Sequence, residues 1–355
     1  MLIRAVTRAP KVAALLLRLA RGRPAVASVN LLNRCNQACP MCAVQEAGDQ
    51  ALSLGELDRA FRALRRGGVR AVEVSGGEPF LRDDLQEVVG LLDRAGLLYT
   101  FNTNGTATHS AGLAALSRAR GLLQVAVSLD SLDRDRYRLL RGRDLLDRAL
   151  RGIDELRAAR LPAPLKLNCA VSHHNADEVL ALLAFAEQRG LFLSAFPVNQ
   201  GPGAHRSADG PFAASGDQRE QLATTFERLA MLRRRGAPLW EPSAFYLAAA
   251  RFLRGEPLAP CGAGQLYLDL RADGRVAPCV ELPAVASLDD LVDGSAWPAL
   301  EAAGPSVRAC RAATPCCYTC TVSLAETARR PVRFALETAQ VLLRARLHRR
   351  AGARE

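Results

Sequence analysis

The chain has no apolar run of the roughly 18 residues needed to cross a bilayer as a helix. Aromatic residues are scarce, 5% of 355, and the basic ends of the chain carry no interleaved aromatic platform. That argues against a single-stranded nucleic-acid partner, which needs bases to stack, and no nucleic-acid recognition motif accompanies the charge. Lysine is nearly missing: of 47 basic residues only Lys11 and Lys166 are lysines. The bias towards arginine accompanies enrichment in alanine and leucine, so it reads as codon usage rather than as a functional signal. No repeat with a period of about 20–50 residues is visible apart from the strand–helix units below.

What is there is an ordinary globular composition, 49% hydrophobic and 23% charged, with enough chain for one large α/β domain and a smaller appendage. The net charge of +11 is concentrated at the ends. Residues 1–45 contain basic residues and no acidic one, and residues 329–355 set eight arginines against Glu337 and Glu355. Segments 1–24 and 326–355 are basic and amphipathic, the second with a helical pattern over 333–348. Such helices commonly pack on the body with solvated arginine faces; the alternative is peripheral contact with an anionic membrane. A cleavable leader ending near Ala25–Ala27 is disfavoured because Arg18 interrupts the apolar stretch 12–17. Cytoplasmic placement is the expectation.

Ten cysteines fall in two groups, 35–42 and 261–320, with Cys169 alone between them. Tight local spacing favours cluster ligation over long-range disulfides, and hence a reducing compartment. Short strand patterns at 25–32, 69–75, 98–102, 122–129, 165–171 and 191–198 alternate with helical ones such as 54–66, 84–95, 145–160 and 176–189. Ser53 and Glu56 form a capping-box pair. The alternation predicts an α/β fold with a parallel sheet over 25–205, open or curled into a partial (βα)6 TIM-like barrel. A helical linker over 206–255 and a small Cys-rich domain over 256–325 follow, the latter with a hairpin turning at Asp273-Gly274. Cys35, Gly76-Gly77, Asn104, Asp130 and His173-His174 all fall at or just beyond strand ends, where such folds collect their chemistry.

Cys35, Cys39 and Cys42 are spaced C-x3-C-x2-C. Three thiolates leave a four-iron cluster with one open iron, whereas a closed zinc or iron site wants four ligands. After a strand in a βα fold, this loop resembles the hallmark of the radical SAM superfamily, a likeness extending over 25–205. The resemblance implies a partial barrel whose [4Fe–4S] cluster is held by Cys35, Cys39 and Cys42 and binds S-adenosyl-L-methionine (SAM). It implies reductive cleavage of SAM to a 5′-deoxyadenosyl radical that abstracts a substrate hydrogen, with an external flavodoxin- or ferredoxin-like electron donor. Met41 stands where the family usually has an aromatic near adenine; its thioether suits that contact. Gly76, Gly77 and Glu78 resemble the glycine-rich turn that meets the SAM amino group, and glycine there permits close backbone approach. Asn104 belongs to the next strand-end motif. Ser128 and Asp130 resemble the strand end that reaches ribose or carboxylate, and Arg141 the motif whose guanidinium pairs with the SAM carboxylate. Helix capping or surface charge is the bland reading for Asp130 and Arg141.

Cys261, Gly274 and Cys279 follow C-x12-G-x4-C, which resembles the opening of SPASM and twitch extensions. The resemblance implies one auxiliary [4Fe–4S] cluster on Cys261, Cys279, Cys317 and Cys320, with Cys316 as a substitute for Cys317 and Cys310 spare. A structural zinc on the same thiolates is the alternative for this group, and a non-catalytic metal-binding scaffold the alternative for the whole chain. The expected substrate is a peptide, a secondary metabolite or another small molecule, or a lipid. No catalytic residue is singled out.

Overall fold

The computed structural model describes residues 2–199, 212–313 and 316–329, with isolated positions beyond. The sequence features at Gly201–Gly203 and in the helical pattern 333–348 lie wholly or largely outside the described residues.

Six strands run parallel in sequence order: β1 (Val26–Asn30), β2 (Ala71–Ser75), β3 (Leu98–Thr103), β4 (Leu122–Ser128), β5 (Leu165–Val171) and β6 (Phe192–Pro197). Helices intervene: α2 (Leu54–Arg66), α3 (Leu85–Arg94), α4 (Ser110–Arg118), α5 (Arg134–Arg141), α6 (Leu146–Ala158) and α7 (Val179–Gln188) follow α1 (Leu2–Ala20). The Ser53–Glu56 capping box opens α2. Leu57, Phe61 and Leu64 on its inner face join Val29, Val72, Val74 and Phe101 of the strands in one fully buried core. Burying side chains of this size is worth about 1.5–3 kcal/mol each.

The sheet order is β6-β5-β4-β3-β2-β1-β7-β8-β9, so β1 and β6 are not neighbours and the barrel is partial. The expected linker is two helices, α8 (Gly216–Arg234) and α9 (Ser243–Leu253), broken between them by Gly236, at φ 90, and by Pro238 and Pro242. The Cys-rich segment contributes β7 (Tyr267–Leu270), β8 (Arg275–Ala277) and β9 (Ala286–Ser287). Its strands do not form a sheet of their own: β7 pairs in parallel with β1, Val26 opposite Tyr267, and the β7–β8 hairpin turns at Gly274, at φ 79, as expected. Short helices α10 (Leu288–Asp293), α11 (Ala296–Ala302), α12 (Gly304–Ala313) and α13 (Leu324–Arg329) complete the described chain.

α1 docks on the barrel. Leu19 is buried with Ala25 and Leu266, and the Arg18 guanidinium donates to the carbonyls of Pro24 (2.9 Å) and Gly67 (3.4 Å). Of the two sequence readings for the N-terminal segment, packing is the one its apolar face adopts. No described helix is long and apolar enough to cross a membrane.

Candidate functional site

The loop after β1 carries Cys35, Cys39 and Cys42 and is gripped from both sides by backbone. After β2, Gly77 N–H donates to Leu32 O (2.7 Å) and Glu78 N–H to Arg34 O (3.0 Å). A Cβ on Gly76 would lie 2.3 Å from Leu32 O, and one on Gly77 2.1 Å from Arg34 O. Across the loop, Ala38 N–H donates to Arg141 O (3.3 Å), and a Cβ on Gly142 would sit 2.0 Å from Ala38 O. Glycine is required at these contacts because no side chain has room.

Side chains continue the grip. Asn104 Nδ2 reaches Cys35 Sγ (3.7 Å) and Asn36 Oδ1 (2.8 Å), and Asn36 Nδ2 donates to Thr106 Oγ1 (2.8 Å). Gln37, buried, donates to the buried Tyr137 hydroxyl (2.6 Å) and accepts from the Cys39 thiol (3.6 Å). Sequence reasoning missed both Gln37 and Tyr137; the loop position of Gln37 between two candidate ligands was the available signal. Burial pushes the Cys39 thiol up to about 11, with Arg141 acting the other way.

Two expected SAM contacts have other work. The Glu78 carboxylate is fully buried and accepts from Phe80 N–H (3.0 Å), Asn104 N–H (2.6 Å) and Thr103 Oγ1 (2.7 Å). It ties the β2 turn to the β3 turn. Asp130 is also fully buried; its Oδ2 pairs with Arg141 Nε at 2.7 Å and its Oδ1 accepts from Ala170 N–H (2.7 Å). It anchors Arg141. Arg141 Nη1 lies 4.0 Å from Cys39 Sγ, so the guanidinium fronts the cysteine loop. Met41 is half-buried against Leu140, Ala170, Val198 and Phe212. Ser128 ends β4 opposite Asn168, whose buried Oδ1 has no donor among the described residues.

The second cysteine group lies beyond the opposite end of the strands. Tyr267 faces Val26, the first residue of β1, and Cys279 follows two residues after Ala277, which pairs with Asp269. Cys279 is buried with Ala263, Tyr267 and Val307, with Cys261 packed against them. Its thiol is pushed up to about 12 by burial, and it feels the charges of Cys261 and Cys316. Cys317, expected as a ligand, instead sits fully buried in the main core, with its N–H donating to Asn199 Oδ1 (2.8 Å). Cys316, the neighbour in sequence, is also buried, and its charge is felt at Cys279. The side chain of Cys320 lies outside the described residues.

Among the described residues no cysteine is in a disulfide, and no three His, Cys, Asp or Glu side chains are drawn to metal-binding distance. The first loop nevertheless fits a three-thiolate cluster. It offers sulfur ligands alone, from one backbone-clamped loop, with Cys42 exposed and Cys35 and Cys39 half-buried.

Between the two cysteine groups runs the inner face of the barrel, and it is polar. Ser28, Glu73, Thr100 and Gln124 stand side by side across four strands. Asn102 Nδ2 donates to Glu73 Oε1 (2.7 Å), and Asn30 Nδ2 to Asp269 Oδ1 (3.2 Å). Lys166 Nζ is 3.8 Å from Glu241 Oε1 and 5.5 Å from the Trp240 ring centre. Strands covered on both faces normally read as continuous apolar runs. The alternation in Ala71–Ser75 and Leu98–Thr103 was the unread signal for this interior.

Residues 29–186 match the Radical SAM superfamily. The chain is 34% identical over 169 residues to a probable GTP 3′,8-cyclase of Pyrococcus abyssi, covering 46% of this chain and 54% of that protein. It is 35% identical over 204 residues to a GTP 3′,8-cyclase of Ectopseudomonas mendocina, covering 55% and 60%. The chain thus spans little more than half the length of these relatives. Among solved structures, anSMEcpe with bound AdoMet superposes with a TM-score of 0.64 at 13% identity, covering 91% of this chain and 99% of that one. Streptococcus suis SuiB bound to S-adenosylmethionine gives 0.62 at 16%, covering 78% and 67%. At such identities the superpositions establish the fold alone. Together with the cysteine loop and its clamped turns, the match marks residues 29–186 as a radical SAM domain.

Proposed function

We propose that the chain is a radical SAM enzyme acting on a small molecule held in the barrel interior, between a SAM-binding cluster at one end and an auxiliary cluster at the other. The single observation that carries this reading is the polar inner face lying between the two cysteine groups. A barrel interior needed only for packing would be apolar; this one offers hydrogen-bonding groups at successive levels.

When bound, a [4Fe–4S] cluster on Cys35, Cys39 and Cys42 together with SAM supplies reductive cleavage of the sulfonium and hydrogen abstraction from the substrate. The chain's own residues set the stage. Gly76, Gly77 and Gly142 let backbone close on the loop. Glu78 fixes the β2 turn against the β3 turn. Asp130 holds Arg141 in front of Cys39, where its remaining N–H groups suit a carboxylate. Met41 lies on the apolar wall that an adenine would share. At the far end, Cys261, Cys279 and Cys316, with Cys320, are the proposed auxiliary ligands.

The relatives' substrate, GTP, is not the one we favour. Lys166 and Arg233 share the interior with Glu73 and Glu241, so no surplus positive charge awaits a triphosphate. The test is anaerobic reconstitution followed by reduction with SAM. Iron near eight per chain is expected for two four-iron clusters, together with release of 5′-deoxyadenosine. A fully loaded sample that releases none would overturn the enzymatic reading.

A further inference from the structure

At the end of the barrel where the strands begin, a cavity of about 260 Å³ opens between the inner face and α1. Its outer wall is apolar: Leu15, Leu16 and Leu19 of α1, with Leu324. Its inner wall is formed by Gln124, Lys166, Glu73, Trp240 and Glu241. Three of these polar side chains are more than nine-tenths buried, Gln124 at 7% exposed and Lys166 and Glu241 at 5% each.

The inner wall has hydrogen-bonding capacity to spare and no charge to spare. The Gln124 amide oxygen is buried and receives no donor among the described residues. An unmet buried acceptor is destabilising until a donor reaches it. The Lys166 ammonium has a carboxylate partner at ion-pair distance, Glu241 at 3.8 Å, which is too long for a hydrogen bond. Glu241 in turn accepts from Ser194 Oγ (3.0 Å) and Ser323 Oγ, and Glu73 accepts from Asn102. Arg233 donates from Nε to the carbonyl of Glu241 (2.9 Å) and from Nη1 to that of Glu337 (2.9 Å). Two cations and two carboxylates leave the chamber neutral. A charged guest would be desolvated with no free counter-charge to offset the loss of water.

We propose that this chamber binds a neutral amphiphile, whose hydroxyl or amide donates to Gln124 and accepts from Lys166 while its apolar body packs against α1. The inference rests on the reading of the barrel interior as the substrate site, and it names the class of molecule that site takes. A hydroxyl and a primary amide share the required chemistry, one donor and one acceptor on a single small group. Burial lowers the affinity of Lys166 for its proton, with Glu241 and Glu73 acting the other way, consistent with a guest that brings no charge.

The test is calorimetry on the iron-loaded full chain with octanol, octanamide, octanoate and octylamine as probes. Octanol and octanamide are expected to bind about tenfold or more tighter than the two charged probes, a ratio one buried hydrogen bond supports. Gln124→Leu is expected to erase that preference, and Leu16→Arg to abolish binding of all four, with circular dichroism confirming the fold of each variant. Charged probes binding as tightly as neutral ones would overturn the proposal, as would no saturable binding or a Gln124→Leu chain that keeps the preference. If a variant fails to fold, the ranking of the probes on the unmodified chain decides alone. Probe binding is read without turnover, so a chain that binds neutral probes yet releases no 5′-deoxyadenosine would sink the enzymatic reading and leave the chamber standing.

Discussion

Glu78 holds its proton more tightly in the folded chain than out of it. Burial pushes its carboxyl from the ordinary 4.5 up to about 7, against the opposing pull of three hydrogen bonds. Since the folded state binds this proton more tightly, its contribution to stability falls as pH rises from about 4.5 to about 7 and is level above that. Urea unfolding of the metal-free chain should therefore show a declining component across that window, on the order of 3 kcal/mol at full size. Glu78→Gln should flatten it while lowering stability at pH 5, because one amide oxygen cannot serve three donors. An unchanged slope would assign the pH dependence to another group. Asp130, also raised by burial, gives a second residue-scale prediction. Arg141→Met leaves that carboxylate buried without its cation and should cost about 3–5 kcal/mol in unfolding free energy. The double variant Arg141→Met, Asp130→Leu should recover part of the loss; equal losses in both would show that the pair itself contributes nothing.

Elements carry the next level of evidence. The C-x3-C-x2-C loop was legible because its spacing is local, and so was the capping box at Ser53. The partners of Glu78 were not. Thr103 and Asn104 are remote in sequence and meet the carboxylate only when β2 and β3 lie side by side. Cys316 and Cys317 show the same limit more sharply. As neighbours they look interchangeable in sequence, yet Cys317 lies in the main core with its N–H bonded to Asn199, while the charge of Cys316 is felt at Cys279. Cys316→Ala should lower iron by about four per chain in reconstituted protein. Cys317→Ala should leave iron unchanged and lower the melting temperature. The reverse pattern would restore Cys317 as ligand. Gly77→Ala should displace the first loop, since its Cβ would press on Arg34 O. Iron loss with retained circular dichroism is the expected result, whereas full iron would mean that the turn can shift without disturbing the thiols.

For the molecule as a whole, the strand–helix alternation predicted six parallel strands, and these are present; the Cys-rich segment adds strands to the same sheet. Its attachment was not readable, because a parallel pairing between β7 and β1 joins residues some 240 positions apart in the chain. That pairing puts the cysteine groups at opposite ends of the same strands. Four steps of strand at about 3.3 Å each separate the levels of Val26 and Asn30, roughly 13 Å. The interior between them is closed at its lower end by α1, so removing residues 2–20 should open the chamber as well as expose Leu266. Loss of octanamide binding with the barrel's circular dichroism retained is the expected outcome; binding that survives would place the probe elsewhere.

The scarcity of lysine has a practical consequence at this lower end. With Lys11 on α1 and Lys166 in the barrel wall as the chain's lysines, the side-chain amines report on two very different places. Lys166 is 5% exposed, and a bulky amine-reactive reagent can reach it only when α1 or the segment around Ser323 moves aside. The labelling rate at Lys166, followed by peptide mass, then measures how often the barrel floor breathes, and a guest held in the chamber slows it.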